Sequence, residues 1–425
     1  MIESLKKKIE LKIGREIKKR GDCQYLSDRI NEELDENLSY NTIRRTFGVE
    51  SNCKIKPRNS TLNILSRFVG YKSFENFSRE SNWNQGWSFN VLINGWVDRM
   101  NEREIIDSLN SAWFKRDNFS ISFVSLIREL FLLGNFQLID KIFKNNSFEF
   151  ERLTYSEVIY IGNGVGSILR KLNLCDERLA LLMKNKRFLQ FIFLSFVDYS
   201  SLVGYYGNLS AVSDKYKIPL KSDQKLFFGA ILSLKNLLSN KVIESNGYHS
   251  LKKDSLHPIL ISRLASMEIA FRIQKAVSYD DVLLDIHTRM QSSKSNKMDF
   301  LYELKTVSLI LADFDLMEWI GSVENSSVDE EYQVSHNQYL QIVNLIRAVK
   351  NQNEEKIDNL IERIDRSKWV LSYHDFYTIF TLIGKYHATH NNIKRKKIRE
   401  QYCTLATELK YPFFSDSYLT NYFDS

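Results

Sequence analysis

The chain has 425 residues, of which 59 are basic and 52 acidic, so its formal net charge at neutral pH is +7. Hydrophobic residues make up 43% of the chain, which is enough for a buried core and excludes a wholly disordered protein. Only 4 prolines and 16 glycines occur, both below average usage. This scarcity of helix breakers disfavours collagen-like, glycine-rich and many-turned all-β proteins and predicts an all-α fold.

The first 80 residues are predicted to form a series of short helices. A helical stripe of isoleucine and leucine begins at Ile2 and continues to Ile17, and we expect Gly21-Asp22 to end this first helix. A second helix carries Leu26, Ile30 and Leu34. Ser39 is a favourable N-cap for a third helix, which should bury Ile43 and Phe47 and end at Gly48. Two further helices should begin near Ser60 and Ser73.

The net charge is concentrated in this segment. Residues 1–80 hold 17 basic and 12 acidic residues, a net of +5, whereas the rest of the chain has a net of only +2. A compact basic module is typical of proteins that bind the phosphate backbone of a nucleic acid. Lysine- and asparagine-rich composition arising from codon bias is the alternative explanation of the same charge.

Three stretches of this module resemble the lambda-repressor/Cro-like (XRE-type) helix-turn-helix family: Gln24–Ile30, Ser39–Gly48 and Thr61–Gly70. The turn before Ser39 and the loop after Gly48 are longer than in that family. The resemblance implies that Ser39–Phe47 is a recognition helix lying in the major groove of duplex DNA. Its implied base contacts are Tyr40, Asn41, Arg44 and Arg45. Its implied phosphate contacts are Ser39, Thr42, Lys54, Lys56 and Arg58. The alternative is that Arg44-Arg45 is a solvated pair on a small protein-interaction module.

A tryptophan-rich segment, residues 81–115, follows the basic module. Four of the six tryptophans lie in it, namely Trp83, Trp87, Trp96 and Trp113. We interpret the segment as a packed junction between two domains, residues 1–80 and 116–425.

Residues 116–425 are predicted to form successive amphipathic helices joined by short polar turns, without any sustained alternation of period two. The clearest helical segments are Ile121–Leu133, Glu157–Leu172, Arg178–Met183, Gln224–Leu238, Ile259–Ile273, Asp299–Leu311, Gln338–Val349, Glu354–Ile364, His374–His387 and Ile398–Leu409. Two of them echo each other, because Leu126–Leu130 and Leu345–Val349 each lead through an asparagine-containing turn into another helix. This texture resembles a degenerate tetratricopeptide-like (TPR-like) solenoid of α-helical hairpins, whose concave face suits peptides or protein segments.

The strongest competing signal for an enzyme is a glycine motif, Gly162-Asn163-Gly164-Val165-Gly166, preceded by an apolar run. In a dinucleotide-binding fold this pattern needs a surrounding βαβ unit, and none is predicted here. We therefore interpret it as a helix whose glycines let a neighbour pack closely. His387 and His390 lack metal-ligating partners at helical spacing, and the basic run Lys394–Arg399 is interpreted as a solvated helix face.

The cysteines and the apolar runs bear on location. Cys23, Cys53, Cys175 and Cys403 lack the short spacings of zinc or redox motifs, so we expect free thiols. The longest apolar runs are far shorter than the roughly 20 residues that span a bilayer, and no N-terminal signal follows Met1. These features predict a cytoplasmic protein without a membrane partner.

Together these interpretations predict a DNA-binding transcriptional regulator, not an enzyme, with no cofactor and no metal. Its partners would be double-stranded DNA and a peptide or protein ligand sensed by the helical repeats, and a homodimer is expected. In regulators of the resembled kind, ligand binding changes the spacing of two DNA-binding heads. The alternative function is a non-enzymatic interaction scaffold or host-defence adaptor that uses the N-terminal module to bind protein.

Overall fold

The computed structural model describes residues 2–49, 57–78, 95, 102–110, 119–145, 150, 153–172, 174–293, 296–323, 333–366 and 369–424. Within these ranges all regular secondary structure is helical, which confirms the predicted all-α fold class. The chain divides into two compact units, Met1–Asn101 and Glu102–Ser425. Of the predicted junction, residues 81–115, only Gly95 and 102–110 are described, and its four tryptophans lie outside the described residues.

The described residues of the N-terminal unit form the helices α1 (Ile2–Ile13), α2 (Arg20–Leu34), α3 (Tyr40–Phe47) and α4 (Asn59–Phe68). Residues 74–78 are also helical, as expected for the last helix near Ser73. Their apolar stripes meet in one core, to which all four helices contribute fully buried side chains. Burying these side chains stabilises the unit, since each such leucine or isoleucine is worth about 1.5–3 kcal/mol. The core residues include Leu5, Ile9, Leu26, Ile30, Ile43, Leu62, Leu65 and Phe68.

The boundary between α1 and α2 differs from the sequence prediction. The first helix ends at Ile13, because Gly14 adopts a left-handed conformation (φ 71°). Gly21 and Asp22, expected to end α1, instead lie in the first turn of α2. Ile17 remains buried although it lies in the link, and this explains why the apolar stripe seemed to continue the helix. The Asp22 carboxylate accepts hydrogen bonds from the backbone N–H groups of Lys18 and Lys19, and the bond from Lys19 lowers the pKa of Asp22.

The larger unit contains the remaining helices. They are α5 (Glu102–Asn110), α6 (Phe119–Leu132), α7 (Phe136–Lys144), α8 (Tyr155–Leu172), α9 (Asp176–Lys184), α10 (Lys186–Phe188), α11 (Leu209–Lys215), α12 (Ser222–Leu238), α13 (Pro258–Gln274), α14 (Asp280–Ser292), α15 (Lys297–Leu311), α16 (Phe314–Val323), α17 (Gln333–Lys350), α18 (Glu354–Arg363), α19 (Leu371–Ala388), α20 (Asn392–Leu409) and α21 (Asp416–Asn421). A π-helical turn, Leu189–Phe193, follows α10. All ten helical segments predicted for this region are confirmed, with ends shifted by a few residues.

Three of the helical hairpins are closed by the same turn. In the α6–α7, α15–α16 and α17–α18 hairpins, a left-handed residue is followed by an asparagine or aspartate that caps the next helix. The left-handed residues are Gly134, Ala312 and Gln352, and the caps are Asn135, Asp313 and Asn353. The two hairpins that echo each other in sequence therefore share a backbone geometry, and α15–α16 is a third instance that the sequence did not reveal.

Helices α13 and α15 pack against each other at the centre of the larger unit and are buried on nearly every side. A helix buried all round is expected to be apolar all round. Both nevertheless carry charged residues inside, among them Arg263, Glu268, Glu303 and Lys305. Such charges require partners within the protein, because an unpaired buried charge is costly.

The glycine motif lies within helix α8, as we interpreted it. A β-carbon added at Gly162 would lie 2.8 Å from Cδ1 of Phe196, and one at Gly166 would lie 2.4 Å from Cζ of the same ring. One at Gly164 would lie 2.7 Å from Cγ1 of Val124 on α6. The glycines thus permit close packing on two sides of a helix, and the motif has no strand–loop–helix context for a dinucleotide.

Two other expectations concern the described residues only. Cys23, Cys175 and Cys403 are free thiols, as predicted, while Cys53 lies outside the described residues. No described helix combines the length and the apolar character needed to cross a membrane.

Candidate functional site

Helix α3 positions the residues that the sequence singled out. Ser39 caps it, since its hydroxyl accepts a hydrogen bond from the Thr42 backbone N–H, and Gly48 ends it in a left-handed conformation. Ile43 is fully buried, whereas Phe47 is half-buried against the same core. The inner face of this short helix is thereby fixed to the N-terminal unit.

The opposite face of α3 is open to solvent at two positions. Asn41 and Arg45 are exposed and stand one turn apart, so their side chains lie on one face of the helix. Neither makes a hydrogen bond or ion pair with another described residue. Tyr40 and Arg44 were also predicted to project outward, but they are half-buried and not fully exposed. The Nε atom of Arg44 is shielded from solvent and has no hydrogen-bond partner among the described residues.

Arg20, the first residue of α2, lies beside the start of α3. Its Nη2 donates a hydrogen bond of 2.8 Å to the Tyr40 hydroxyl, and its guanidinium carbon lies 5.0 Å from the centre of the Tyr40 ring. The contact brings the amino-terminal ends of α2 and α3 together. Sequence analysis did not identify Arg20, because it was assigned to the end of α1. The left-handed Gly14 was the signal that would have placed the boundary correctly.

The two ends of α2 differ in charge. Lys18, Lys19 and Arg20 outnumber Asp22 at its start. Glu32, Glu33 and Glu36 lie at or beyond its last turns, about 20 Å away at 1.5 Å per residue. Cations of the same unit neutralise this acidic end. Glu33 pairs with Lys12 and Arg29, and Glu36 pairs with Arg67. The hydrogen bond from Lys12 lowers the pKa of Glu33. The end of α2 next to Tyr40 therefore carries the excess positive charge.

The predicted phosphate contacts are placed less uniformly. The hydroxyls of Ser39 and Thr42 lie 3.0 Å apart and share a hydrogen bond at the start of α3. Arg58 is exposed at the residue before α4. Lys54 and Lys56 lie outside the described residues, so the structure places only three of the five.

Two of the ion pairs in the described part of the larger unit bury a carboxylate and link distant parts of the chain. Arg170 of α8 donates two hydrogen bonds to Asp198, which is fully buried, and the Tyr205 hydroxyl donates a third. Burial raises the pKa of Asp198 to about 6, although Arg170 acts in the opposite direction. These groups hold α8 against the segment that follows the π-helical turn.

The second pair joins the two central helices. Arg263 of α13 donates through Nη2 to Oε1 of Glu303 on α15, and the Tyr199 hydroxyl donates to the other carboxylate oxygen. Burial acts to lower the pKa of Arg263, but the Glu303 charge, the neighbouring Tyr199 and the hydrogen bond to Glu303 together outweigh burial and raise that pKa. Burial, followed by the Glu303 charge, raises the pKa of Tyr199 well above its ordinary value. The arginine and the tyrosine therefore stay protonated at neutral pH.

The histidines and the basic run near the C terminus have structural partners. The ring nitrogen Nε2 of His387 lies 2.7 Å from the carbonyl oxygen of Leu419, and burial lowers the pKa of His387. In the basic run on α20, Arg399 pairs with Asp416 and Arg395 stacks on Tyr386, whereas the lysines are exposed. Among the described residues, no group of three potential metal ligands comes together.

No protein-family model, curated protein or solved structure matches this chain to a significant degree. The function therefore has to be inferred from the geometry of the chain itself. Two features stand out for their chemistry: the exposed face of α3 beside the basic end of α2, and the buried charges of the larger unit.

Proposed function

We propose that the chain is a DNA-binding transcriptional regulator that inserts α3 into the major groove of duplex DNA. The observation that carries this proposal is the pairing of an exposed Asn41–Arg45 face with the basic end of α2 at Tyr40. The helix-turn-helix resemblance of residues 1–80 supports the same arrangement.

The chemistry of the exposed face suits base recognition. Arginine donates two hydrogen bonds to the O6 and N7 atoms of guanine, and asparagine pairs with the N6 and N7 atoms of adenine. The hydrogen-bonding groups of Arg45 and Asn41 are not used in contacts with other described residues, so they remain available to bind bases. Arg20 and the lysines before it, Lys18 and Lys19, stand where the DNA backbone would pass, and such contacts position a protein without specifying sequence. Lys18 also pairs with Glu16, but an exposed pair of this kind is weak.

Helix α3 does not depend on the DNA for its position. Its capping by Ser39, the burial of Ile43 and the left-handed Gly48 fix both ends of a helix of only eight residues. A helix that contacts bases needs such support, because side chains held within about half an ångström of their binding positions bind better than side chains that are poorly fixed. This rigidity supports α3 as the element that contacts the bases.

The proposed role of the larger unit is to bind a peptide or protein effector through TPR-like helical hairpins. Three hairpins closed by the same turn support this part of the proposal, since repeated hairpins that stack build extended binding surfaces. An effector that binds one conformation of the protein more tightly than another would favour that conformation and so change the affinity of the protein for DNA. The size of this change is limited by the difference between the effector's affinities for the two conformations.

Binding of the full-length chain to a random pool of fluorescent duplexes at two salt concentrations tests the DNA-binding proposal. We expect the affinity to fall steeply with salt, because neutralised phosphates release counterions. Sequences selected from the pool should lose about 1–3 kcal/mol of discrimination in the Arg45→Ala variant, which is roughly 5- to 150-fold.

Arg128→Ala is the matched control, since Arg128 is an exposed arginine on α6 in the larger unit. It removes the same side chain and charge and should leave both affinity and base preference unchanged. Absence of duplex binding at low salt would refute the proposal. Equal behaviour of the Arg45→Ala and Arg128→Ala variants would also refute it, by showing that α3 does not contact the bases.

A further inference from the structure

The larger unit contains a mostly apolar cavity of about 580 Å³ that is open to solvent on one side, and its volume is within the range of roughly 300–1,000 Å³ typical of small-molecule sites. Its walls come from α8, the segment after the π-helical turn, α12, α13, α15 and the start of α19. Residues more than 200 positions apart therefore meet around it. Its apolar walls include Ile159, Phe196 and Leu260. The glycines of α8 bring the Phe196 ring against that helix.

Arg263 lines this cavity and is only 5% exposed. One of its nitrogens, Nη2, donates to Glu303, and its guanidinium carbon lies 4.3 Å from the centre of the Phe227 ring. Its Nε and Nη1 groups have no acceptor among the described residues. Nε is shielded, so Nη1 is the donor that a molecule in the cavity can reach. A buried donor left without an acceptor is unfavourable, and Nη1 beside the cavity therefore points to an acceptor supplied by a bound molecule.

Two other side chains of the cavity, His257 and Gln224, also have a donor that is not used within the protein. His257 accepts a hydrogen bond from the Ile259 backbone N–H through Nδ1, which leaves its Nε2 as the donor in the neutral ring. The side-chain oxygen of Gln224 accepts from the Lys221 backbone N–H, so its amide NH₂ is left to donate. Asn163 is already satisfied, since it donates to the Ile159 carbonyl and accepts from the Ser372 backbone N–H.

The charge around the cavity distinguishes among acceptors. Arg263 and Glu303 form a pair with no net charge, and Asp223 adds a negative charge at the wall. A buried carboxylate on a ligand would lack a cation of its own, and an uncompensated buried charge is strongly unfavourable. A neutral carbonyl oxygen accepts from Arg263 without adding charge.

We propose that this cavity binds a small, uncharged, largely apolar molecule whose carbonyl group accepts a hydrogen bond from Arg263. The apolar body lies against the aliphatic and aromatic walls, and amides, esters, lactones and ketones all carry the required acceptor. This site is separate from the DNA-binding proposal, and neither depends on the other.

Titration of the full-length protein with prodan, an uncharged fluorescent naphthyl ketone, tests the proposal. Emission should shift to shorter wavelength with saturation at one molecule per chain, because the ketone enters apolar surroundings. Decanamide should displace the probe, whereas decanoate, with the same chain but a carboxylate, should displace it at least about tenfold less well. Absence of saturable binding, or stronger displacement by decanoate than by decanamide, would overturn the proposal.

Two variants locate the probe. Arg263→Met combined with Glu303→Gln removes the donor without leaving a lone buried charge, and the glutamine oxygen still accepts from Tyr199. We expect it to weaken prodan binding about 10- to 100-fold, the value of a hydrogen bond from a charged donor. Leu194→Trp places a bulkier ring at the cavity wall while keeping the ion pair and should weaken prodan binding.

Arg272→Met is the matched control, because Arg272 lies on the same helix, α13, but does not line the cavity. It should bind prodan like the unaltered protein, and circular dichroism would verify that each variant is folded. Unchanged binding in both folded cavity variants would overturn the assignment of the site.

Discussion

The same substitution, glycine to alanine, is expected to have opposite effects at two helix-interior positions of the larger unit. At Gly166 on α8, the added β-carbon would lie 2.4 Å from Cζ and 3.0 Å from Cε2 of Phe196, and 3.1 Å from the Tyr205 hydroxyl oxygen. At Gly229 on α12, which is exposed, the added β-carbon would have no atom of another residue within 4 Å. Only the first position requires glycine for packing.

The magnitudes follow from two opposing contributions. Alanine is favoured over glycine within a helix by about 1 kcal/mol, and both variants should gain this. Overpacking a buried site typically costs about 1–3 kcal/mol. The upper half of that range applies at Gly166, because the same Phe196 ring also lies close to Gly162 one turn earlier, where an added β-carbon would lie 2.8 Å from its Cδ1 atom. We therefore expect Gly166→Ala to destabilise the larger unit by about 1–2 kcal/mol and Gly229→Ala to stabilise it by about 1 kcal/mol.

Urea unfolding of the two variants and the unaltered chain, followed by far-ultraviolet circular dichroism, measures both effects as shifts of the transition midpoint. The slopes should stay equal, which shows that stability and not compactness has changed. If Gly166→Ala stabilised the protein as much as Gly229→Ala does, the ring of Phe196 could not lie against α8. The packing explanation of the glycine motif would then be wrong.

Three further substitutions test other parts of the structure. Ser39→Ala removes the cap of α3 and should cost the N-terminal unit about 1 kcal/mol in thermal or urea unfolding. Ala312→Gly should stabilise the protein by up to about 1 kcal/mol in the same measurement, since alanine is strained at a φ of 52°. Burial raises the pKa of Asp198 from 3.8 to about 6, so its contribution to stability is complete below pH 4 and is lost as pH rises through 6. This loss of unfolding free energy is on the order of 3 kcal/mol. In the Asp198→Asn variant, the free energy of unfolding should no longer fall between pH 4 and 6. A fall that persists in this variant would show that Asp198 is not the group responsible.

Helices with a strong period and clear turn residues could be predicted from the sequence. In the turn at Gly134-Asn135, the glycine favours the left-handed conformation and the asparagine favours the cap. In the turn at Asn351–Asn353, the capping Asn353 is the signal, because the left-handed residue, Gln352, has no such preference. The equivalent turn at Ala312-Asp313 was missed because alanine, which is buried here, also gives no left-handed signal.

The predicted end of the first helix was wrong for a related reason. A periodic apolar stripe identifies residues that face the core, but it does not distinguish a helix from a link that happens to bury its side chain at the next expected position. Ile17 is such a residue. As a result Arg20 was assigned to the wrong helix, and the cationic end of α2 beside Tyr40 was not recognised. Helix α3 itself could be predicted, because its cap, its buried isoleucine and its closing glycine are all local signals.

The buried ion pairs could not be predicted, because their partners are far apart in the chain. Asp198 lies 28 residues from Arg170, and Glu303 lies 40 residues from Arg263. In sequence each of these residues resembles an ordinary charged position on the solvent face of an amphipathic helix. Arg263 and Glu303 are buried because α13 and α15 are covered on nearly every side, which depends on how many helices pack around them. Local patterns thus predict a surface that reads DNA, whereas a cavity lined by a buried arginine emerges only when the helices are assembled.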